Sequence, residues 1–119
     1  MKPTLLIADD VLSVRDELHR CLQDDFDIVA LSADGPSCLS DYKRYRPGIL
    51  LLDIVMPLKS GVEVAREIMA MEGEKGPRVV FLTGLRDGEV NREILSELSA
   101  DIIYKPVDLA RLRELLLPV

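Results

Sequence analysis

The run Ile49-Leu50-Leu51-Leu52 is preceded by Pro47-Gly48, closed by Asp53 and cut off by Met56-Pro57. Four consecutive apolar residues between such breakers show no alternating polar face. This is the pattern of a short strand covered on both sides, as in a parallel sheet. Such a strand lies in the middle of a domain, and the acid that ends it emerges at the carboxyl edge, where open α/β sheets place their ligand sites. An aspartate at a strand end often does no more than bond the N–H groups of the following turn. What the other strands deliver to the same edge decides how Asp53 is read.

Thr4 to Ala8 is a second apolar run, ending in Asp9-Asp10. Val11, Val14, Leu18, Cys21 and Leu22 recur at helical spacing, which predicts an amphipathic helix from about Val11 to Gln23. Phe26 to Leu31 is strand-like, Asp34-Gly35-Pro36 breaks the chain, and Pro36 opens a helix with Cys38, Leu39, Tyr42 and Tyr45 on its apolar side. Ser60-Gly61-Val62-Glu63 has capping-box spacing, ahead of a helix with Val62, Ala65, Ile68 and Met69 inward. Gly73 to Pro77 is a polar loop, and Arg78 to Leu82 is a strand ending at Thr83-Gly84. Asp87 is placed to cap a fourth helix, with Val90, Ile94, Leu95 and Leu98 inward. Asp101 to Tyr104 is a fifth strand ending at Lys105-Pro106, and Asp108 caps a last helix that buries Leu109, Leu112, Leu115 and Leu116.

Strict strand–helix alternation predicts an α/β fold, a doubly wound five-stranded parallel sheet with helices on both faces. Right-handed crossovers leave few topologies, of which the flavodoxin-like order 2-1-3-4-5 is the expectation. The 119 residues are expected to form a single domain, spanning 1–119.

Composition narrows the function. A net charge of −6 with no basic cluster argues against nucleic acid as a partner of this domain. No apolar run reaches the length of a membrane span, and Met1-Lys2-Pro3 leads straight into a strand, so no membrane association and a cytoplasmic location are expected. Cys21 and Cys38 fall on helices without metal-ligand spacing and read as small buried thiols. His19 lies beside the apolar stripe of its helix and reads as a surface residue.

Four of the five predicted strands deliver a polar residue to one edge: Asp9 and Asp10, Asp53, Thr83 and Lys105. Two carboxylates about 5 Å apart repel by roughly 3 kcal/mol at an effective dielectric of 20. Three such acids call for a cation, and an all-oxygen site with few protein ligands suits magnesium, which keeps waters and completes its shell with phosphate oxygens. Lys105 adds a fixed positive charge and Thr83 a hydroxyl donor, so the constellation suits a phosphoryl group. Asp53 can be the nucleophile that forms an aspartyl phosphate, with positioning and electrostatics supplying most of the rate.

These residues carry a resemblance. The Asp9-Asp10 pair, the D-x-x-M-P element from Asp53 to Pro57, Gly61, Thr83-Gly84 and Lys105-Pro106, with their spacings, resemble the response-regulator receiver domains of bacterial two-component signalling, chemotaxis receivers included, over the whole chain. The resemblance implies that Asp53 accepts a phosphoryl group from a sensor histidine kinase or phosphotransfer protein. Asp9, Asp10, Asp53 and the backbone carbonyl of Val55 would hold Mg2+ or Mn2+. Thr83 and Lys105 would contact the phosphoryl group, and the Lys105-Pro106 bond would be cis. The output would leave through the fourth helix, fifth strand and fifth helix to a downstream protein or output domain, with a second copy as one candidate on phosphorylation. The domain would catalyse only its own phosphorylation and dephosphorylation, and would turn over no external substrate.

Two positions depart from the family's pattern. Ile102 stands where an aromatic switch residue is usual, and Tyr104, two residues on and on the same strand face, is the nearby aromatic. A smaller switching response, reported by Tyr104, is therefore expected. Val107 replaces a common phenylalanine, which weakens assignment to the subfamily that dimerises through its last helix. Haloacid-dehalogenase-like phosphohydrolases also form aspartyl phosphates, but they carry an aspartate where this chain has Val55. A binding module that no longer takes phosphate is the alternative, which loss of an acid or of the lysine would favour, and all are present.

Overall fold

The computed structural model describes residues 1–117, with the side chain at 87 outside the description. Strands and helices alternate: β1 (Thr4–Ala8), α1 (Leu12–Leu22), β2 (Asp27–Ser32), α2 (Gly35–Tyr45), β3 (Ile49–Asp53), α3 (Gly61–Glu72), β4 (Arg78–Thr83), α4 (Arg92–Glu97), β5 (Asp101–Tyr104) and α5 (Leu109–Leu116). The strands form one parallel sheet in the order β2-β1-β3-β4-β5, the flavodoxin-like arrangement expected from the alternation.

The central strand shows why its sequence does not alternate. Every residue of β3 is buried. Leu50 and Leu52 pack with Cys38, Tyr42, Val64, Ala65 and Ile68 of α2 and α3, while Ile49 and Leu51 pack with Leu18, Leu22, Leu112 and Leu116 of α1 and α5. A strand between two helical layers needs apolar side chains on both faces, each worth about 1.5–3 kcal/mol when fully buried.

Local signals set most boundaries. Asp34 caps α2 by accepting from the Ser37 N–H at 2.7 Å, and Asp108 caps α5 by accepting from Arg111 N–H at 3.2 Å. Ser60 and Glu63 form the reciprocal capping box of α3. Four expectations need correction. The second strand runs one residue later than Phe26 to Leu31, because Phe26 turns into the core beneath α1 and Ser32 completes the ladder. The fourth helix starts at Arg92, with Asn91 accepting from Glu93 N–H (3.0 Å) and Ile94 N–H (3.4 Å); residues 87–89 form a 3-10 turn instead, and a capping role for the Asp87 side chain lies outside the described residues. Val64, absent from the expected inward set, is fully buried on α3, while Val62 and Met69 face inward as expected but are only half-buried. Val11, Tyr45 and Cys21 sit at the margins of their apolar stripes: the first two are exposed and the thiol is half-buried. His19 is half-buried, at the side of the apolar stripe where the spacing puts it. Cys38 is buried as expected, and burial, with the charges of Asp41 and Asp34, pushes its thiol up to about 12. Among the described residues no helix is long and apolar enough to cross a membrane.

Candidate functional site

Parallel strands all finish at one edge, and the ladder sets the ends of β1, β3, β4 and β5 in adjacent register. Asp9 and Thr83 have no exposed surface, Asp53 is 5% exposed, and Asp10 faces solvent. Asp9, Asp10 and Asp53 each place a carboxylate oxygen within 4.8 Å of the others. Lys105 Nζ reaches across from the end of β5, donating to Asp9 Oδ2 at 2.7 Å and to Asp53 Oδ2 at 3.0 Å.

Each strand end is also locked to its own turn. Asp9 Oδ1 accepts from Val11 N–H (2.9 Å), Asp53 Oδ1 from Val55 N–H (3.1 Å) and Thr83 Oγ1 from Leu85 N–H (3.0 Å). These are the Asx and hydroxyl turns in which a side chain bonds the backbone two residues on. Both readings of Asp53 therefore hold: one oxygen caps a turn, and the other faces Lys105. Two glycines let the backbone close around it. A Cβ on Gly61 would lie 2.2 Å from the Asp53 carbonyl oxygen, and one on Gly35 would lie 2.2 Å from the Lys59 carbonyl oxygen. The turn after β3 is thus pressed against α3 at one end and against the start of α2 at the other.

Burial holds the Asp53 carboxyl above the ordinary carboxylate range. The Lys105 hydrogen bond opposes this shift, and the neighbouring Asp9 charge adds to it. Burial pulls the Lys105 ammonium down, but its hydrogen bonds to Asp9 and Asp53 and their charges outweigh that, so it titrates above its ordinary value. Three carboxylates facing one ammonium leave two formal negative charges, which a divalent cation would cancel. The donors are all oxygen, and one of them is open to water. That is the chemistry magnesium or manganese takes, so the residues fit the ion.

Comparison with known proteins agrees with this geometry. The family model described as the response regulator receiver domain matches residues 5–117. The chain belongs to the response regulator receiver domain family. This receiver is 28% identical over 106 residues to the chemotaxis protein CheY of Halobacterium salinarum, covering 89% of this chain and 87% of that one. It is 29% identical over 113 residues to CheY of Listeria monocytogenes, covering 94% of this chain and 93% of the relative. Among solved structures it resembles the CheX–CheY complex with BeF3 and magnesium from Borrelia burgdorferi, with a TM-score of 0.82 and 28% identity over 93% of this chain and 84% of that chain. It is accordingly a chemotaxis-like receiver, a signalling domain of two-component phosphorelays.

The remaining expected residues fall in two places. The Lys105-Pro106 bond is cis. Ile102 and Tyr104 are both half-buried and line one cavity of about 420 Å³ with Arg92, Pro106 and Arg111, and Ile102 also packs against the core layer shared with α2, α3 and α4. Sequence reasoning missed three contributors to the edge. Ser32 ends β2 there after all, buried, with its hydroxyl donating to Asp41 at 2.8 Å and its carbonyl accepting from Asp9 N–H at 3.0 Å. The one-residue shift of β2 hid it. Arg15 donates to the Asp9 backbone carbonyl at 2.7 Å, and a helical arginine facing a preceding loop leaves no periodic signal. Leu58 stands 86% exposed with φ of 69°, in the left-handed region that a leucine rarely enters.

Proposed function

We propose that this receiver takes a phosphoryl group onto Asp53 from a sensor histidine kinase or phosphotransfer protein, in a reaction that requires Mg2+ or Mn2+. The observation that carries the reading is the Lys105 ammonium bridging Asp9 and Asp53 beside the exposed Asp10. An Asp53 oxygen forms the new O–P bond while the P–N bond to the donor imidazole breaks, the imidazole keeping the electron pair. Asp9, Asp10, Asp53 and the Val55 carbonyl are the residues that would hold the metal. Bound there, it would neutralise charge on the transferring group. Lys105 orients Asp53 and supplies positive charge to a phosphoryl oxygen. Thr83, whose oxygen accepts from Leu85, keeps its own O–H hydrogen to donate. Exposed apolar side chains at Val11, Leu12, Val55 and Leu58, on or beside the loops that carry the acids, suit contact with a protein donor.

Switching follows from what changes on phosphorylation. A charge-assisted contact is worth about 1.5–3 kcal/mol, and moving an equilibrium from 1:99 to 99:1 takes about 5.5 kcal/mol. Lys105 is already bonded to Asp53, so only its difference between states counts. Thr83 therefore supplies the larger share. The face its movement would reach is α4, β5 with Tyr104, and α5, where a downstream protein, an output domain or a second copy would bind. Incubation with acetyl phosphate and magnesium, followed by intact mass, tests the reading: the native chain gains a phosphoryl group and Asp53→Asn does not. Equal modification of both would overturn it.

A further inference from the structure

The two adjacent acids of the site are held very differently. All four polar atoms of Asp9 are bonded: its N–H to Ser32 O (3.0 Å), its Oδ1 to Val11 N–H (2.9 Å), its Oδ2 to Lys105 (2.7 Å) and its carbonyl to an Arg15 guanidinium N–H (2.7 Å). Asp10 is exposed, and its carboxylate is turned into the cluster without such a lock. What directs Asp10 is the peptide that joins it to Asp9. The Asp9 carbonyl and the Asp10 nitrogen lie in one rigid plane. The bond that fixes that carbonyl therefore fixes the plane from which the Asp10 side chain departs.

Arg15 makes that bond from α1. Its own backbone N–H is bonded to the Val11 carbonyl (3.1 Å), so its Cα is tied to the helix start. Helical side chains lean toward the N-terminus, which carries the guanidinium back over the loop of Asp9 and Asp10. It meets a carbonyl rather than a carboxylate. The positive charge thus lies near the acids without occupying any oxygen that a metal would need, in contrast to Lys105, which is bonded to two of those oxygens.

We infer that Arg15 is a positioning residue that sets the metal affinity of this site by clamping the Asp9–Asp10 peptide, with Asp9 as the fixed strut and Asp10 as the ligand it aims. The inference rests on the metal-dependent reading of the site given above. Replacing a group that orients a metal ligand typically weakens affinity about ten- to a hundredfold. Arg15→Met, which keeps an apolar stem and removes both charge and donor, should weaken Mg2+ binding by that range in isothermal titration calorimetry. Arg15→Gln keeps a donor and should retain part of the affinity. In the metal-free protein the Asp10 amide resonance should shift in Arg15→Met while β3 resonances stay in place. With acetyl phosphate, the Mg2+ concentration for half-maximal modification should rise and the rate at saturating Mg2+ should recover.

Unchanged Mg2+ affinity in a folded Arg15→Met protein would overturn the inference, as would a rate loss that saturating Mg2+ leaves in place. Failure of the native chain itself to bind Mg2+ would overturn the underlying reading, a result recognisably different from either.

Discussion

The edge of the sheet proposed to accept the phosphoryl group and the face formed by α4 and β5 are built to opposite specifications. At that edge β3 is buried along its whole length, Lys105 donates to both Asp9 and Asp53, and each of the two acids also accepts from its own turn. On the other face α4 has six residues with Leu95 alone buried among them, and β5 has four with Ile103 alone buried. A nucleophile gains from being held in one place, since misplacement costs rate. An element that must move between arrangements has to be drawn from the less stable parts of a fold. The contrast between the two regions matches the division of labour proposed for them.

The largest expected effect compares a glycine packed inside the tight edge with one in the loop that leads from β4 towards α4. Gly61→Ala drives a Cβ into the Asp53 carbonyl and should cost about 2–3 kcal/mol in urea unfolding, as overpacking against backbone does. Gly84→Ala, beside Thr83 with nothing within 4 Å of its Cβ, should stay within about 0.5 kcal/mol. Equal effects would erase the distinction between a tight edge and a loose face.

A smaller effect reads the charge stored at the tight edge. Because burial raises the Asp53 carboxyl in the folded state, the native chain holds that proton more firmly than the unfolded one does. Its contribution is therefore most favourable below the unfolded value of 3.8, and stability is lost as pH rises through the folded value. Without divalent metal, Asp53→Asn should gain about 1 kcal/mol near pH 7, shrinking towards nothing as pH falls below about 4. Paired urea titrations across that range check the sign. A gain that grows on acidification would mean that Lys105, not burial, governs Asp53.

The smallest effect belongs to the loose face. With Ile102, half-buried against the core, in the place of an aromatic, no ring stands at that position to swing inward, so adding beryllofluoride and magnesium should give large amide shifts at the loops around Asp53 and modest ones over α4, β5 and α5, with Tyr104 the clearest. Shifts confined to those loops would place the output elsewhere on the molecule.

How far the sequence reaches also differs between the two regions. The apolar runs, the acids that end them and the capping signals at Ser60 and Asp108 are local, so strand identity, strand order and the gathering of Asp9, Asp53, Thr83 and Lys105 at one edge could all be read from the chain. Locality is also what misplaced the start of α4: Asp87 and Asn91 are both competent caps, and only the backbone at Asn91 carries on into the α-helix.

Tertiary structure alone decided who bonds to whom across that edge. Lys105 lies 96 positions from Asp9 and 52 from Asp53, and no spacing rule says that one ammonium bridges both carboxylates. Ser32 joined the edge because β2 pairs with β1 one residue beyond the apolar run. Arg15 found the Asp9 carbonyl because its side chain reaches back from the first turn of α1 to the end of β1. Periodicity reports which way a side chain faces relative to its own element. Contacts between elements depend on register and on packing distance, and those are settled only when the sheet and both helical layers close together.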